Sequence, residues 1–271
     1  MTEPTRPDGD QPASSPAVGA VEFADLRAPV VRHVGQLMAA AAMTAPKSGG
    51  QLLGAGAPGF LEIVFVDDAA TLARLAAWMR ARGKERREAI WFRDADAAQA
   101  LDGVLFIGLT NPYPPNYDCG ACGYATCAEF LHATKQARAD ADELEFTGPT
   151  CTLRAVDLGV AVGSAARTAA VHCLDCRCQT RIAVASRKLG LIQADLAVAL
   201  SLSLTHKAIT FDRRMPEIDY DALELPATGT LPVGVPGAGR AGGARNKQQP
   251  RQTTPRRPRR GQSAPLPTEA S

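Results

Sequence analysis

The chain of 271 residues allows one large domain or two small ones. Aromatic residues make up only 5% of it, against 24 glycines and many alanines, so we expect close helix packing rather than an aromatic-rich core. No apolar run has the length of a membrane span, and the polar N-terminus lacks the pattern of a secretory signal. We therefore expect a cytoplasmic protein without a membrane partner.

The net charge of +2 combines a mildly acidic body with a strongly basic C-terminal end. Residues 226–271 contain eight Arg or Lys and one acidic residue, Glu269, and so carry +7, which leaves −5 for residues 1–225. This segment and residues 1–20 are rich in Pro, Gly and polar residues without a hydrophobic period. We predict a disordered N-terminus at 1–20, a single globular domain at 21–224, and a disordered basic tail at 225–271.

Hydrophobic patterning over the central part predicts an α/β or α+β fold, with a small sheet covered by helices. The continuous apolarity of residues 103–109 favours a strand that is covered on both faces. In chain order, the predicted elements are a helix at 23–44, a strand at 60–66, a helix at 67–82, a short apolar piece at 89–92, a strand at 103–109, helices at 126–144, 153–171 and 180–189, and a strand at 196–204.

Three cysteines lie close together in one short loop, in the pattern C-x2-C-x4-C: Cys119, Cys122 and Cys127. Thiols this dense bind iron and sulfide, bind zinc, or are merely buried or disulfide-bonded. A structural zinc site usually presents two separated C-x-x-C pairs, whereas three local cysteines and one remote cysteine are typical of ferredoxins. Glycine follows the first two cysteines, which lets the backbone wrap a bulky cluster. We favour a 4Fe–4S cluster at 118–151, with Cys151 as the remote ligand.

Two predicted helices bear on this site and on assembly. Cys127 lies in the first turn of the helix at 126–144, where the helix dipole stabilises a thiolate or an anionic cluster. The helix at 153–171 has almost no large side chains, which indicates the close approach of another helix, a flat cofactor or a symmetry mate. Ordinary tight packing inside the core explains it equally well. A homodimer is therefore one expectation for this helix.

A second group of cysteines follows that helix in the pattern C-x2-C-x-C: Cys173, Cys176 and Cys178. These residues are candidates for a second metal site or for an oxidation-sensitive trio. The simpler interpretation, which we favour, is that they are three small, half-buried residues at positions where polar residues would be expected.

Motifs spread over residues 23–214 resemble the prokaryotic family of uncharacterised proteins with a ferredoxin domain. The most specific are the cysteine loop, Gly148-Pro149-Thr150-Cys151 and the small-residue helix; the others are Thr44-Ala45-Pro46-Lys47, Arg93-Asp94-Ala95, Lys188-Leu189-Gly190-Leu191 and Phe211-Asp212-Arg213. The cysteine loop is also similar to the four-iron domain of electron-transport and corrinoid iron–sulfur proteins. That similarity implies four cluster ligands at Cys119, Cys122, Cys127 and Cys151.

A weaker resemblance is to flavin-dependent nitroreductases, which begin with an amphipathic helix whose end binds the flavin phosphate. It implies a nitroreductase-like fold, bound FMN and a flavin-dependent oxidoreductase activity. The usual arginine pair near the start is absent, so Lys47 would take its role. The implied FMN-binding residues are Thr44, Lys47, Ser48, Gly190 and Lys207.

Together these patterns predict an iron–sulfur redox protein that transfers single electrons. If flavin binds, the electrons pass to it. The sequence does not specify the electron donor or acceptor. The alternative is a zinc-binding module whose basic tail holds nucleic acid or an acidic partner. Because Arg/Pro-rich tails are often only solubilising, we do not expect nucleic acid as a partner. The sequence has no helix-borne H-E-x-x-H, no G-x-S-x-G and no Walker loop, which disfavours hydrolase and kinase functions.

Overall fold

Six helices and four strands are seen in the computed structural model, which describes residues 19–48, 59–110, 112–139, 144–206, 209–211 and 214–225. In chain order they are α1 (Phe23–Thr44), β1 (Leu61–Val66), α2 (Ala69–Arg86), α3 (Ala89–Gln99), β2 (Gly103–Leu109), α4 (Cys127–Ala139), α5 (Thr152–Val171), β3 (Asp175–Gln179), α6 (Thr180–Lys188) and β4 (Leu196–Ser203).

The four described strands form one antiparallel sheet in the order β1-β2-β4-β3. The central strand β2 pairs with β1, where Ile107 lies opposite Ile63, and with β4, where Ile107 lies opposite Val198. Every residue of β2 is buried. A strand with neighbours on both sides and cover on both faces must be apolar throughout, as the sequence of β2 predicts.

Helices cover both faces of this sheet. Leu105 and Ile107 of β2 pack in one apolar core with α1 and α5, whereas Val104 and Phe106 pack in the other with α2, α3 and α6. This division follows from the alternation of side chains along a strand. The predicted fold class, a mixed α/β protein with a small sheet covered by helices, is confirmed.

The described residues differ from the sequence expectations at three places. The piece at 89–92 is the first turn of the full helix α3, which buries Trp91 and Phe92 together with its alanines. The sequence Asp-Cys-Arg-Cys-Gln forms the unpredicted strand β3, because pairing with β4 outweighs its weak strand propensity. Helix α4 ends at Ala139, and Leu144 lies outside it.

The described residues fall within one compact unit. Residues 1–18 and 226–271 lie outside the part of the chain that the structure describes, so the disorder of the two ends stays a prediction. Among the described helices, none combines the length and the apolar character that crossing a bilayer requires.

Helix α5 presents different faces to the core and to the outside. Leu158, Ala161 and Ala165 are buried against α1, so small residues do allow close helix packing within the chain. Gly159 and Gly163 lie on the outer face, where an added Cβ would meet no atom within 4 Å. The packing inside the chain therefore accounts for Ala161 and Ala165 but not for the glycines of α5, and a homodimer stays a prediction.

Candidate metal centre

The loop between β2 and α4 bends through several left-handed backbone positions. Gly120 has φ +69° and Gly123 has φ +90°, and the backbone N–H of Gly123 donates to the carbonyl of Gly120 at 3.0 Å. Asn116 and Asp118 also have positive φ, at 60° and 46°. Glycine adopts this conformation without the steric cost of a Cβ, which explains its position after the first two cysteines.

The start of α4 is fixed by side chains of the same loop. The N–H of Glu129 donates to the hydroxyl of Thr126 at 3.2 Å, and the Glu129 carboxylate accepts from the N–H of Ala125 at 3.1 Å, an arrangement close to a capping box. The Asp118 carboxylate accepts from the N–H of Cys127 at 2.6 Å. Cys127 is thus the first residue of a helix whose N-terminus is well capped.

Cys151 occupies the N-cap position of α5, where it is 4% exposed. The hydroxyl of the next residue, Thr152, donates to the carbonyl of Ala121 at 2.9 Å, in the middle of the cysteine loop. Two helices therefore begin at this place, one at Cys127 and one at Cys151. The positive ends of both helix dipoles favour negative charge there.

All four predicted ligands line one cavity. Cys119 is exposed, Cys122 and Cys127 are half-buried, and Cys151 is buried, so the cavity opens towards solvent on the side of Cys119. The remaining lining residues are Pro114, Pro115, Tyr117, Asp118, Gly120, Tyr124, Thr126 and Thr152. Within the described part of the chain, no group of three or more His, Cys, Asp or Glu side chains is placed to hold a single metal ion.

The chain segment before Cys151 is hydrogen-bonded to α6 and to the turn between α6 and β4. Arg187 donates to the carbonyls of Leu144 and Glu145 at 3.2 and 3.1 Å and to the hydroxyl of Thr147 at 2.6 Å. The N–H of Thr147 donates to the carbonyl of Asp195 at 2.8 Å. These contacts fix the position of the chain just before Cys151, although Cys151 is far from Cys127 in the sequence.

A buried ion pair that was not predicted lies one turn beyond Cys151. Arg154 and Asp157 are 1% and 3% exposed, and a guanidinium nitrogen of Arg154 lies 2.8 Å from a carboxylate oxygen of Asp157. Arg154 also donates to the carbonyls of Tyr113 at 2.9 Å and Ser48 at 2.7 Å. In the sequence, this i, i+3 pair looks like an ordinary surface salt bridge on an exposed helix.

The residues predicted to bind FMN are engaged inside the protein where the structure describes them. Lys47 donates to the carbonyls of Ala42, Met43 and Ala45 at 3.0, 2.7 and 2.6 Å, and burial lowers the pKa of its ammonium group. Both the N–H and the hydroxyl of Ser48 donate to Asp157, at 2.7 and 2.8 Å. These donors of Lys47 and Ser48 are thus used internally rather than offered to a phosphate.

The other predicted flavin residues have local roles or are not described. The hydroxyl of Thr44 donates to the carbonyl of Ala40 at 2.9 Å, within α1. Gly190 has φ +72° and follows the end of α6, as predicted for a C-cap glycine. Lys207 lies outside the described residues.

The second group of cysteines follows the C-terminal end of α5, a helix about 30 Å long that has Cys151 at its N-terminal end. Cys173 is exposed in the turn after the helix, with φ 57°. Cys176 and Cys178 share one face of β3. Burial, with a smaller contribution from the nearby Cys178, raises the pKa of the Cys176 thiol to about 12. Partial burial raises the pKa of Cys178 as well, although much of that residue is exposed.

Two known families match consecutive parts of the chain. Residues 115–143 match the family described as "Putative Fe-S cluster", and residues 147–213 match the family described as "Uncharacterized protein containing a ferredoxin domain (DUF2148)". The first match includes Cys119, Cys122 and Cys127, and the second includes Cys151. The class that emerges is an iron–sulfur protein with a ferredoxin domain.

An uncharacterised protein from Archaeoglobus fulgidus is 34% identical over 183 residues, which cover 68% of this chain and 91% of that protein. The chain therefore belongs to the family of uncharacterised proteins containing a ferredoxin domain. The family predicted from the cysteine loop and the small-residue helix is confirmed.

Solved structures with partial similarity to the chain include a nitroreductase and an NADPH:FMN oxidoreductase. Nitroreductase A from Vibrio parahaemolyticus has a TM-score of 0.36 at 14% identity and covers 69% of this chain, which spans 61% of its length. An NADPH:FMN oxidoreductase from Vibrio harveyi, complexed with NAD+, has a TM-score of 0.37 at 12% identity, with coverage of 73% and 70%. At these values the likeness says nothing about ligand or activity.

Proposed function

We propose that the protein binds one 4Fe–4S cluster through Cys119, Cys122, Cys127 and Cys151 and transfers single electrons. The observation behind this proposal is that these four cysteines, one of them remote in sequence, line one cavity. The match of residues 115–143 to an Fe–S cluster family supports the same chemistry. Three local cysteines and one remote cysteine are a ligand set of ferredoxin type.

The surroundings of the four thiols suit an anionic group. Two helix N-termini point their partial positive charge at the cavity, one from α4 at Cys127 and one from α5 at Cys151. Each such end stabilises a nearby negative charge by about 0.3–1 kcal/mol. The left-handed glycines at 120 and 123 allow the loop to curve around a group larger than a single ion.

The cavity has one buried side and one side that is exposed to solvent. Cys151 is buried, and Tyr124 packs edge-on against the buried ring of Phe130 behind the cavity, with ring centroids 6.0 Å apart. Cys119 is exposed and lies next to Tyr117, which is 55% exposed. A bound cluster supplies a tuned one-electron potential, and we infer that a redox partner approaches on the side of Cys119.

Protein purified and reconstituted without oxygen tests this proposal. We expect broad brown absorbance and about four iron and four sulfide per chain, as a cubane cluster requires. Electron paramagnetic resonance after reduction should then give the signal of a one-electron-reduced cluster. A colourless protein with one tightly bound zinc per chain would instead support the zinc-binding alternative, because the same thiolates are also zinc ligands.

Coupling of the cluster to FMN is a further proposal, and it comes from the weaker resemblance to nitroreductases rather than from a contact. Addition of FMN to the purified protein, followed by gel filtration, tests it through the two resolved flavin absorbance bands. If flavin is retained, this proposal requires that Lys47 exchanges its contacts with backbone carbonyls for the flavin phosphate, so Lys47→Ala should weaken retention while leaving the cluster absorbance unchanged. Protein that retains no added FMN ends the flavin proposal without affecting the cluster.

A further inference from the structure

Arg154 is the most enclosed charged side chain in the described part of the chain, with 1% exposure. A buried cation is costly unless it is paired and its N–H groups are satisfied. Asp157 provides the paired charge at 2.8 Å, and two backbone carbonyls accept hydrogen bonds from the guanidinium N–H groups. This cation lies one helical turn from Cys151, so its contacts bear directly on the position of that cysteine.

The contacts of Arg154 reach three distant parts of the chain. Its Nε donates to the carbonyl of Tyr113, in the segment that leads into the cysteine loop. One Nη donates to the carbonyl of Ser48, after α1. The guanidinium also lies over the ring of Phe60, 4.2 Å from its centroid. Because the guanidinium is planar and rigid, these contacts fix the segment at 113 relative to the first turn of α5.

Asp157 is itself held in place. It accepts from the N–H and the hydroxyl of Ser48 at 2.7 and 2.8 Å, in addition to the contact from Arg154. The carboxylate is therefore oriented by Ser48, in the segment after α1, and in turn orients the guanidinium. Ser48, which the sequence suggested as a flavin contact, belongs to this network.

We infer that Arg154 is a positioning residue, which holds the entry to the cysteine loop against α5 so that the four thiols share one cavity before iron and sulfide arrive. Thr152, the residue directly after Cys151, provides a second tie, to Ala121. The two ties hold the chain at Tyr113, before the cysteine loop, and at Ala121, between Cys119 and Cys122. The importance of this role for cluster binding rests on the proposed function, but the arrangement of the apoprotein can be tested separately.

The test measures how fast iodoacetamide alkylates Cys151 in the apoprotein at neutral pH, by mass spectrometry of the modified peptide. The variants are Arg154→Gln and Arg154→Lys, and the control is Leu158→Ala, one turn further along α5 and buried against α1. We expect Arg154→Gln to raise the alkylation rate about tenfold or more, since local opening then exposes Cys151. Leu158→Ala should lower overall stability without this selective effect.

Arg154→Lys keeps the charge but cannot contact both carbonyls and the carboxylate in one plane, so we expect a smaller rise of about threefold. This variant decides the question if Arg154→Gln does not fold. An alkylation rate of Cys151 that is unchanged in the folded variants, or raised equally by Leu158→Ala, would overturn the positioning role.

Iron and sulfide retention in the presence of a chelator gives the second readout, with faster loss expected from the Arg154 variants than from Leu158→Ala. Failure of the wild-type protein to take up iron and sulfide would overturn the proposed function, while the alkylation rates would still decide the role of Arg154. Normal uptake by the wild type with wild-type retention in Arg154→Gln would overturn the inference alone.

Discussion

Two groups of cysteines lie at opposite ends of α5, and their surroundings differ in almost every respect. Cys127 and Cys151 begin helices and face one cavity with Cys119 and Cys122. Cys176, by contrast, lies within a strand, and its pKa is raised to about 12, mainly by burial. A metal or a cluster binds thiolate, so the first setting favours ligation and the second favours the protonated thiol.

The comparison teaches that cysteine spacing alone does not define a metal centre. Both C-x2-C-x4-C and C-x2-C-x-C look like ligand patterns in the sequence. Strand β3 holds every second side chain on one face, and the backbone N–H groups along its inner edge are paired with β4. Helix N-termini and glycine turns leave such groups available.

Replacement of the cluster cysteines should have the largest effect. Each of Cys119→Ser, Cys122→Ser, Cys127→Ser and Cys151→Ser should lower the iron content of anaerobically reconstituted protein below about three per chain, because one corner of the cube loses its thiolate. Iron and sulfide assays and the absorbance spectrum measure this loss.

The matched controls are Cys173→Ser, Cys176→Ser and Cys178→Ser, which should retain the wild-type iron content. The comparison between the two regions would be reversed if Cys119→Ser and Cys122→Ser kept iron and sulfide while Cys176→Ser lost them. Because each variant changes a single sulfur to oxygen, circular dichroism can exclude general unfolding as the reason for any loss.

Alkaline pH should affect the second region through Cys176. Its pKa rises from an ordinary 9.0 to about 12 on folding, so the unfolded chain releases this proton at lower pH than the folded chain does. The free energy of unfolding should therefore be unaffected by this group below pH 9 and fall above it, by at most about 1.4 kcal/mol per pH unit. Urea unfolding of reduced protein between pH 8 and 10.5 measures the slope.

Cys176→Ala serves as the control for this prediction, because it removes the titrating group and should flatten the fall above pH 9. A slope that is identical in the wild type and in Cys176→Ala would show that other groups cause the alkaline loss.

Glycine substitutions should have the smallest effects, with opposite signs in the loop and in the helix. Gly123→Ala places a Cβ at φ +90°, which should destabilise the loop by about 1–2 kcal/mol and lower cluster retention. Gly163→Ala lies on the outer face of α5 with open space around it and should stabilise the protein by about 0.5–1 kcal/mol. Thermal unfolding and iron retention measure both.

A loss of stability or a change in solution mass with Gly163→Ala would contradict this expectation. That result would indicate that another backbone approaches the outer face of α5, as the homodimer prediction requires. Wild-type mass together with a gain in stability would argue against close packing at this glycine.

The fold was predictable wherever the hydrophobic period was strong. The buried strand β2 and the amphipathic helix α2, capped by Asp68, follow directly from their sequences. The hydrophobic period did not predict the full helix α3, in which several alanines are buried. It also did not predict β3, whose residues join the sheet because β4 lies beside them. The burial of alanines and the pairing of an edge strand depend on tertiary structure, so the local hydrophobic period does not predict them.

The candidate site was predictable to a different degree. Spacing was enough to single out Cys119, Cys122 and Cys127, and the cavity brings Cys151 to them. Arg154 could not be recognised, because the carbonyls that bury it belong to residues 41 and 106 positions away in the chain. The hydrogen bonds of Ser48 to Asp157, 109 positions away, could not be recognised for the same reason, and the flavin role of Lys47 stays a prediction.

The position of β3 at the rim of the sheet has a consequence for solubility. Among the described strands, it pairs only with β4, so its outer edge is a potential template for an unrelated strand from another molecule. Asp175 and Arg177 put opposite charges on this short strand, and burying either charge against a foreign strand would be unfavourable. The polar composition that concealed β3 in the sequence thereby protects the protein from edge-to-edge aggregation.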